Sequence, residues 1–518
     1  MPRPRFAHLL TLVTAGLALR LVLIVAAENR LDADEATVGV MALDILDGLA
    51  LPAFFYGNFY NGGGALEAYL AAPVFSLLGP SAIALKLCML GLWVVTALLF
   101  ADLCRRTLSS RQALSAVAFF ALATPFFLEW SLKARGGFAE TVLFSVALLW
   151  IAALPAGPLA TRRTLQCLLF GAAAGVGIWA SEMLAPMLAL AGVWLVLRSD
   201  PPHRKQVGAL LVCGIALGLV PLLAYNATHD WLHLRSLTLH SLLTTTTPDR
   251  VPLSLEQLQL SAVFVLGRAW PILLAGLGVA AVRLARDRSR VSLGHVAVAH
   301  LLVYLLAYWM SGLRHLPVPP SRVLYAVYPG LAVLLAYAVD TALGSGRAIR
   351  LLAAGAIGIW LVSVSVSTFA WMKSGVPREA NSWRGSWALT NSDDLDERLI
   401  EADVDVAYSS YWTTWPLRFS SRARRHHDPG SAELRATWQL EKPSRDTTVA
   451  FVLHSAAPLS EYVESALRKR RAQVERRQWE DFTVFLVKSP SPETFRDIPR
   501  RLMEQDWIPA PAVADGFN

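Results

Sequence analysis

Cysteine is scarce in this chain and poorly placed for cross-linking. The 518 residues include four, at Cys88, Cys104, Cys167 and Cys213, all within or beside apolar runs and none beyond position 213. There is no CxxC pair and no zinc-like spacing. A disulfide framework and a zinc module are therefore excluded, and the cysteines read as small buried hydrophobes. Charge is also thin. Charged residues make up 17% of the chain against 54% apolar, with a mean hydropathy of +0.43. A soluble chain of this length would form about three domains and need far more polar surface. No internal repeat occurs at a fixed period, which argues against architectures built on inverted repeats. Glycine pairs such as Gly136-Gly137 lack the strand–loop–helix setting of a phosphate-binding loop. The net charge of +8 points to loop arginines in so apolar a chain rather than to nucleic acid, and no nucleic-acid partner is expected.

What the chain does have is long apolar runs, the mark of bilayer spans. The first, Leu9 to Ala27, follows Arg3 and Arg5. Val25-Ala26-Ala27 would suit a signal-peptide cleavage site, but the run is long and more spans follow, which favours an uncleaved helix. Further runs lie near 82–102, 112–128, 138–154, 165–181, 183–198, 206–225, 262–282, 291–310, 322–340 and 350–371. The short run 68–79 is either another span or an interfacial or re-entrant piece. The expectation is a polytopic α-helical membrane protein with about 11–12 transmembrane helices.

Arginine placement orients it. Arg3/Arg5, Arg105/Arg106/Arg111, Arg162/Arg163, Arg198/Arg204/Lys205, Arg283/Arg286/Arg288/Arg290 and Arg347/Arg350 fall at every second turn and would be cytoplasmic. The loops 28–67, 129–140, 226–258 and 311–321 are richer in acids, aromatics and histidines and would face outward. The N-terminus is then cytoplasmic and the C-terminal end extracytoplasmic. The expected division is a membrane domain, 1–372, with interfacial helices in its first outer loop 28–67, and a small α/β domain, 373–518. In the latter, Ser392 can cap a helix at about 393–402, strands are expected at Val404–Tyr411, Thr448–Leu453 and Phe482–Lys488, and a helix near 459–472. Trp383, Trp387, Tyr408, Tyr411, Trp412 and Trp415 cluster near its start, with packing the expected role for most.

The most informative stretch follows the first run: Arg30-Leu31-Asp32-Ala33-Asp34-Glu35-Ala36, three carboxylates within four residues. The residues after it have amphipathic helical spacing and end at Gly48. This is an acid cluster at the start of a short interfacial helix, where the helix dipole favours anions. Two roles compete: N-terminal capping by Asp32 or Asp34, and a carboxylate acting as general base or holding a divalent cation. His229-x-x-x-His233, with His240 beyond, has a spacing that could bind zinc on a helix, but position 230 is Asp rather than the glutamate of a metalloprotease, and an interfacial helix with solvent-facing histidines is the plainer reading.

The pattern Asp34-Glu35-Ala36-x-x-Gly39-x-Met41-Ala42-x-x-Ile45-Leu46-x-Gly48 resembles the first outer loop of bacterial membrane glycosyltransferases with the GT-C fold. The similar subgroup is the glycosyltransferase-39/83-like set, with protein mannosyltransferases, the lipid A aminoarabinose transferase and Rgt-type galacturonosyltransferases. Phe54-Phe55-Tyr56-Gly57, Leu66-Glu67-Ala68-Tyr69-Leu70-Ala71-Ala72 and Leu78-Gly79-Pro80-Ser81 extend the likeness. So do Lys133-x-Arg135-Gly136-Gly137-x-x-Glu140-Thr141, Arg322-x-Leu324-x-x-x-Tyr328-Pro329, Ala407-Tyr408-x-x-Tyr411-Trp412 and Leu417-x-Phe419. Asn61-Gly62-Gly63-Gly64 is longer and richer in glycine than the family pattern, and Asn58 stands where glutamine is expected.

The resemblance implies a donor sugar carried on a polyprenyl phosphate, transferred with inversion at the outer face to a lipid, glycan or protein of the cell envelope. It implies a bacterial inner membrane. It makes Asp34 the expected general base, with Glu35 and Asp32 next. Lys133, Arg135, Arg314, Arg322 and Lys86 are the expected ligands of the departing phosphate, with snorkelling to the interface as the competing role for each. Tyr56, Tyr60, Glu67 and Glu140 are the expected substrate-binding residues. No cofactor is required by the pattern; a divalent cation is the one addition the carboxylates would accommodate. The alternatives are a transporter or flippase for a lipid-linked glycan, and a non-catalytic assembly protein of the same fold.

Overall fold

The structure is a computed structural model. It describes residues 6–26, 31–56, 61–155, 162–235, 259, 262–263, 265–267, 269–287, 291–310, 321–374, 392–409, 411–424, 433–436, 448–454, 459–469, 472–479 and 482–488. Two compact units emerge: Met1–Ala26, Leu51–Tyr69 and Lys86–Ser374 form one, the membrane unit, and Ala27–Ala50, Leu70–Leu85 and Gly375–Asn518 the other. The C-terminal unit thus takes in two stretches from the first part of the chain.

The helices, in chain order, are α1 Phe6–Ala26, α2 Ala33–Leu46, α3 Gly62–Leu78, α4 Ala82–Thr107, α5 Ser110–Leu122, α6 Pro125–Trp130, α7 Phe138–Ala153, α8 Thr164–Ala180, α9 Ala185–Leu197, α10 Arg204–Gly218 and α11 Val220–Thr228. Then come α12 Trp270–Arg286, α13 Leu293–Met310, α14 Tyr328–Leu343 and α15 Arg347–Ser374. Four described helical stretches are long and apolar enough to cross a bilayer: Phe6–Ala26, Ala82–Thr107, Leu324–Leu343 and Arg347–Val366. A fifth is the pair Pro201–Gly218 and Val220–Thr228, taken as one span bent by 54°. Their outward faces are apolar, with Leu352 73% exposed and Val362 63%, as lipid-facing helices are.

Several other apolar runs fold as helices close to their own extent but shorter than a full span: 165–181 gives α8, 17 residues, and 291–310 gives α13, 18 residues. Run 138–154 yields α7, a helix of 16 residues, about 24 Å long against a hydrocarbon core of about 30 Å. Run 112–128 is broken between α5 and α6 by Pro125, and run 206–225 bends at Leu219, just ahead of Pro221. Run 68–79 is the second part of α3, which begins earlier, at Gly62. The cysteines are all free; Cys104 and Cys167 are buried as expected, but Cys213 is exposed on α10.

Two features hold the membrane unit together. The first is a glycine seam between α8 and α10. A Cβ on Gly171 would lie 2.4 Å from the Leu211 carbonyl oxygen, and one on Gly175 2.4 Å from that of Ile215; Gly214 and Gly218 face them with the same lack of room. Both helices carry Gly-x-x-x-Gly, and in lipid, where no hydrophobic force drives helices together, close backbone approach supplies the attraction. The second is the repair of the α5–α6 break. Pro125 has no N–H, so the carbonyl of Ala121 loses its helical donor. Arg20 Nη1, reaching across from α1, donates to Ala121 O at 2.9 Å. The Tyr328 hydroxyl lies within hydrogen-bond reach of Phe119 O (3.0 Å) and Phe120 O. Non-helical backbone inside a membrane protein survives only where its polar groups are met by protein in this way.

The C-terminal unit adds α16 Ser392–Glu401, α17 Tyr411–Arg424 and α18 Leu459–Lys469 to a five-stranded sheet. The strands are β1 Val406–Ser409, β2 Glu433–Ala436, β3 Thr448–His454, β4 Val474–Trp479 and β5 Phe482–Lys488, in the order β2-β1-β3-β5-β4. β1 runs parallel to β2 and β3; β5 is antiparallel to β3 and β4. Central strands are apolar on both faces. Val449 and Phe451 pack with Val463 and Leu467 of α18, whereas Ala450 and Val452 pack with Leu395 and Leu399 of α16 and Leu417 of α17. Tyr408 and Trp415 are buried, in keeping with packing. The residues Trp383 and Trp387, and the side chains of Tyr411 and Trp412, lie outside the described residues.

In the same unit α2 packs on α17. A Cβ on Gly39 would meet the Phe419 ring at 2.5 Å, and Arg422 pairs with Asp44 and with Asp47, the latter at 2.7 Å. From Ala36 to Asp44 every residue of α2 is buried. The helix stops at Gly48, whose φ of 68° suits glycine.

Candidate functional site

The acids before α2 divide by environment. Asp32 is the N-cap. Its Oδ1 accepts from Glu35 N at 3.0 Å, and Glu35 Oε2 accepts from Asp32 N at 3.2 Å. This reciprocal capping box satisfies two orphan helix donors. It buries both side chains, while Asp34, between them, stays half-exposed and takes no part in the box. Of the two roles open in the sequence, capping belongs to Asp32 with Glu35, and Asp34 is the carboxylate outside it.

In the membrane unit, the segment from α6 to α7 carries Lys133 and Arg135. Both are buried, Lys133 pairs with Glu129 at 2.9 Å, and both cations lie over the Trp130 ring, at 5.4 and 5.2 Å. Gly136 and Gly137 follow with φ of 65° and 80°, backbone that excludes most side chains. Space excludes them too: a Cβ on Gly136 would lie 2.4 Å from Gly64 N, and one on Gly63 2.1 Å from Gly137 N. The extra glycines at Asn61–Gly64 thus serve a backbone-to-backbone contact.

That contact is joined by carboxyls. Gly136 N donates to Glu67 Oε2 at 2.8 Å, and the buried Glu140 carboxyl adjoins that of Glu67. Two buried carboxyls side by side require a proton or a cation between them.

The remaining candidates are scattered. Lys86 is buried near the start of α4. Tyr56 is half-buried in a turn. Arg322 falls in the 3₁₀ turn Ser321–Val327, but its side chain lies outside the described residues, as do Arg314 and Tyr60. His229 stacks on Tyr225 at 4.0 Å, and His233 is buried against Phe54 at 5.1 Å, so His233 does not face solvent. Among the described residues no group of three or more His, Cys, Asp and Glu is placed to hold a metal ion.

With this geometry in hand, the chain can be set beside known proteins. No protein-family model matches the sequence, and a search of curated proteins finds no match. Solved structures do match. ArnT from Cupriavidus metallidurans bound to undecaprenyl phosphate superposes with a TM-score of 0.60 at 14% identity, covering 92% of this chain and 97% of that one. Its apo form gives 0.58 at 12% identity, with the same coverage. The Archaeoglobus fulgidus oligosaccharyltransferase in its apo form gives 0.50 at 14% identity, covering 89% of this chain and 71% of that one. This chain has the GT-C fold. The GT-C resemblance read from the first outer loop therefore holds for fold across nearly the whole chain.

One residue of this GT-C chain was passed over in the sequence. Arg20 stands alone as a charge within the first apolar run. That isolation was the available signal.

Proposed function

We propose that this protein is a membrane glycosyltransferase. It moves a sugar from a polyprenyl-phosphate donor to a hydroxyl-bearing acceptor of the cell envelope, with inversion. The observation that carries the reading is the fold shared along nearly its whole length with ArnT, which was crystallised with undecaprenyl phosphate. The acid arrangement supports it, since the capping box occupies Asp32 and Glu35 and leaves Asp34 outside.

In the proposed step, the Asp34 carboxylate takes the proton of the acceptor hydroxyl as its oxygen bonds to the anomeric carbon. The bond from that carbon to the phosphate oxygen breaks, and polyprenyl phosphate leaves. Lys133, Arg135 and Lys86, with Arg314 and Arg322, are the cations proposed to stabilise the charge on the departing phosphate. Tyr56, Tyr60, Glu67 and Glu140 are proposed to shape the substrate side. The loop arginines support an inner-membrane protein with its N-terminus in the cytoplasm and its C-terminal unit outside.

The test is native mass spectrometry of detergent-purified protein, wild type beside Asp34→Asn. A co-purified polyprenyl-phosphate-sugar, retained or enriched in the variant, is expected, and its mass identifies the sugar. If both forms carry only bulk phospholipid, even after addition of polyprenyl-phosphate-sugars, the transferase reading falls and transport or assembly roles take its place.

A further inference from the structure

Arg20 is a buried guanidinium in the membrane unit, with no carboxylate pairing with it among the described residues. An uncompensated charge there is costly unless something replaces its hydration. Part of that replacement is visible. Nη1 donates to Gly16 O at 3.1 Å and Ala121 O at 2.9 Å, and the guanidinium lies 3.7 Å from the centre of the Trp93 ring. Ala121 O belongs to the C-terminal end of α5, the negative end of that helix's dipole.

Repair of the α5 break accounts for Nη1. It does not account for Nε, which donates to Ser131 Oγ at 2.8 Å. The Ser131 hydroxyl in turn donates to Leu128 O at 2.6 Å. Ser131 is the first residue after α6 and opens the segment that bears Lys133 and Arg135. At its other end, Gly136 N is held by Glu67. The segment between α6 and α7 is thus fastened at both ends before any ligand arrives.

We propose that Arg20 is a positioning residue: through Ser131 it presets the segment that presents Lys133 and Arg135 to the donor phosphate. This rests on the transferase reading for the identity of the ligand, though not for the link itself. A cationic segment already ordered binds an anion without the cost of ordering it first.

The experiment uses full-length protein in nanodiscs, as wild type, Ser131→Ala and Arg20→Lys. Ser131→Ala removes the acceptor of Nε and leaves the α5 contacts, so it tests the link even if Arg20→Lys does not fold. Two readouts are taken: amide hydrogen exchange over 131–137 without lipid, and affinity for added undecaprenyl phosphate. Ser131→Ala is expected to speed exchange in 131–137 and to weaken lipid binding about three- to tenfold, the worth of one hydrogen bond, with a lower melting temperature, since a buried guanidinium N–H loses its acceptor. Unchanged exchange overturns the proposal. So does faster exchange with undiminished affinity. If exchange rises but wild type binds no undecaprenyl phosphate, the positioning link stands and the donor reading falls.

Discussion

The two units close their backbone hydrogen bonds by opposite means. In the C-terminal unit, β5 pairs with β3 along its whole length and β1 pairs with it over Val449–Val452. Side chains there add little to the ladder; Ser409 Oγ, for instance, donates to Val452 O at 2.8 Å. In the membrane unit the carbonyls at the end of α5 have no following backbone donor, and side chains from α1 and α14 supply it. A hydroxyl-to-carbonyl bond of similar length therefore has different weight in the two places. Val452 stays in its strand ladder when the hydroxyl is lost, whereas in a lipid-bound core nothing takes the place of a missing donor at a helix end.

Four substitutions would break or sharpen that contrast, from the largest effect downward. Gly136→Ala places a Cβ against the Gly64 backbone at a left-handed φ. It should cost roughly 3 kcal/mol or more and remove the monodisperse peak in size-exclusion chromatography. Gly91→Ala, where nothing lies near the added carbon, serves as its silent control. Tyr328→Phe removes the donor facing Phe119 O and Phe120 O, and should lower stability by about 1–3 kcal/mol in a thermal melt. Arg422→Ala loses a partly exposed bridge to Asp44 and Asp47. It should cost about 1 kcal/mol or less, a difference that shrinks at high salt. Ser409→Ala should change stability by less than about 0.5 kcal/mol, since Val452 stays in its ladder. Equal losses for Tyr328→Phe and Ser409→Ala would remove the distinction between the units.

The same contrast governs what could be read in advance. Signals contained within a few residues were legible: the cap at Asp32, the stop at Gly48, and the apolar strands β3 and β5. Strand β4 was not, because Val474–Trp479 alternates exposed polar residues with few buried ones, as an edge position permits. Pro125 and Pro221 were visible, but the apolar runs were read through them. Among the candidate residues, the types were legible and their packing partners were not. Arg20 works through Ala121 and Ser131, at separations of 101 and 111 residues, and Gly136 needs Glu67, 69 residues away. No local pattern encodes such pairs. The use of Gly63 and Gly64 was hidden for the same reason, since the backbone they accommodate comes from Gly137 and Gly136.

The most direct test of the central claim is turnover of a polyprenyl-phosphate-sugar to free polyprenyl phosphate, followed by mass spectrometry in nanodiscs with an envelope-lipid extract as acceptor. The account predicts turnover by wild type, a fall of about 10²–10⁴-fold in Asp34→Asn, and a far smaller fall in Glu35→Gln, whose amide oxygen can keep the cap. Undiminished turnover in Asp34→Asn, or loss confined to Glu35→Gln, would contradict it.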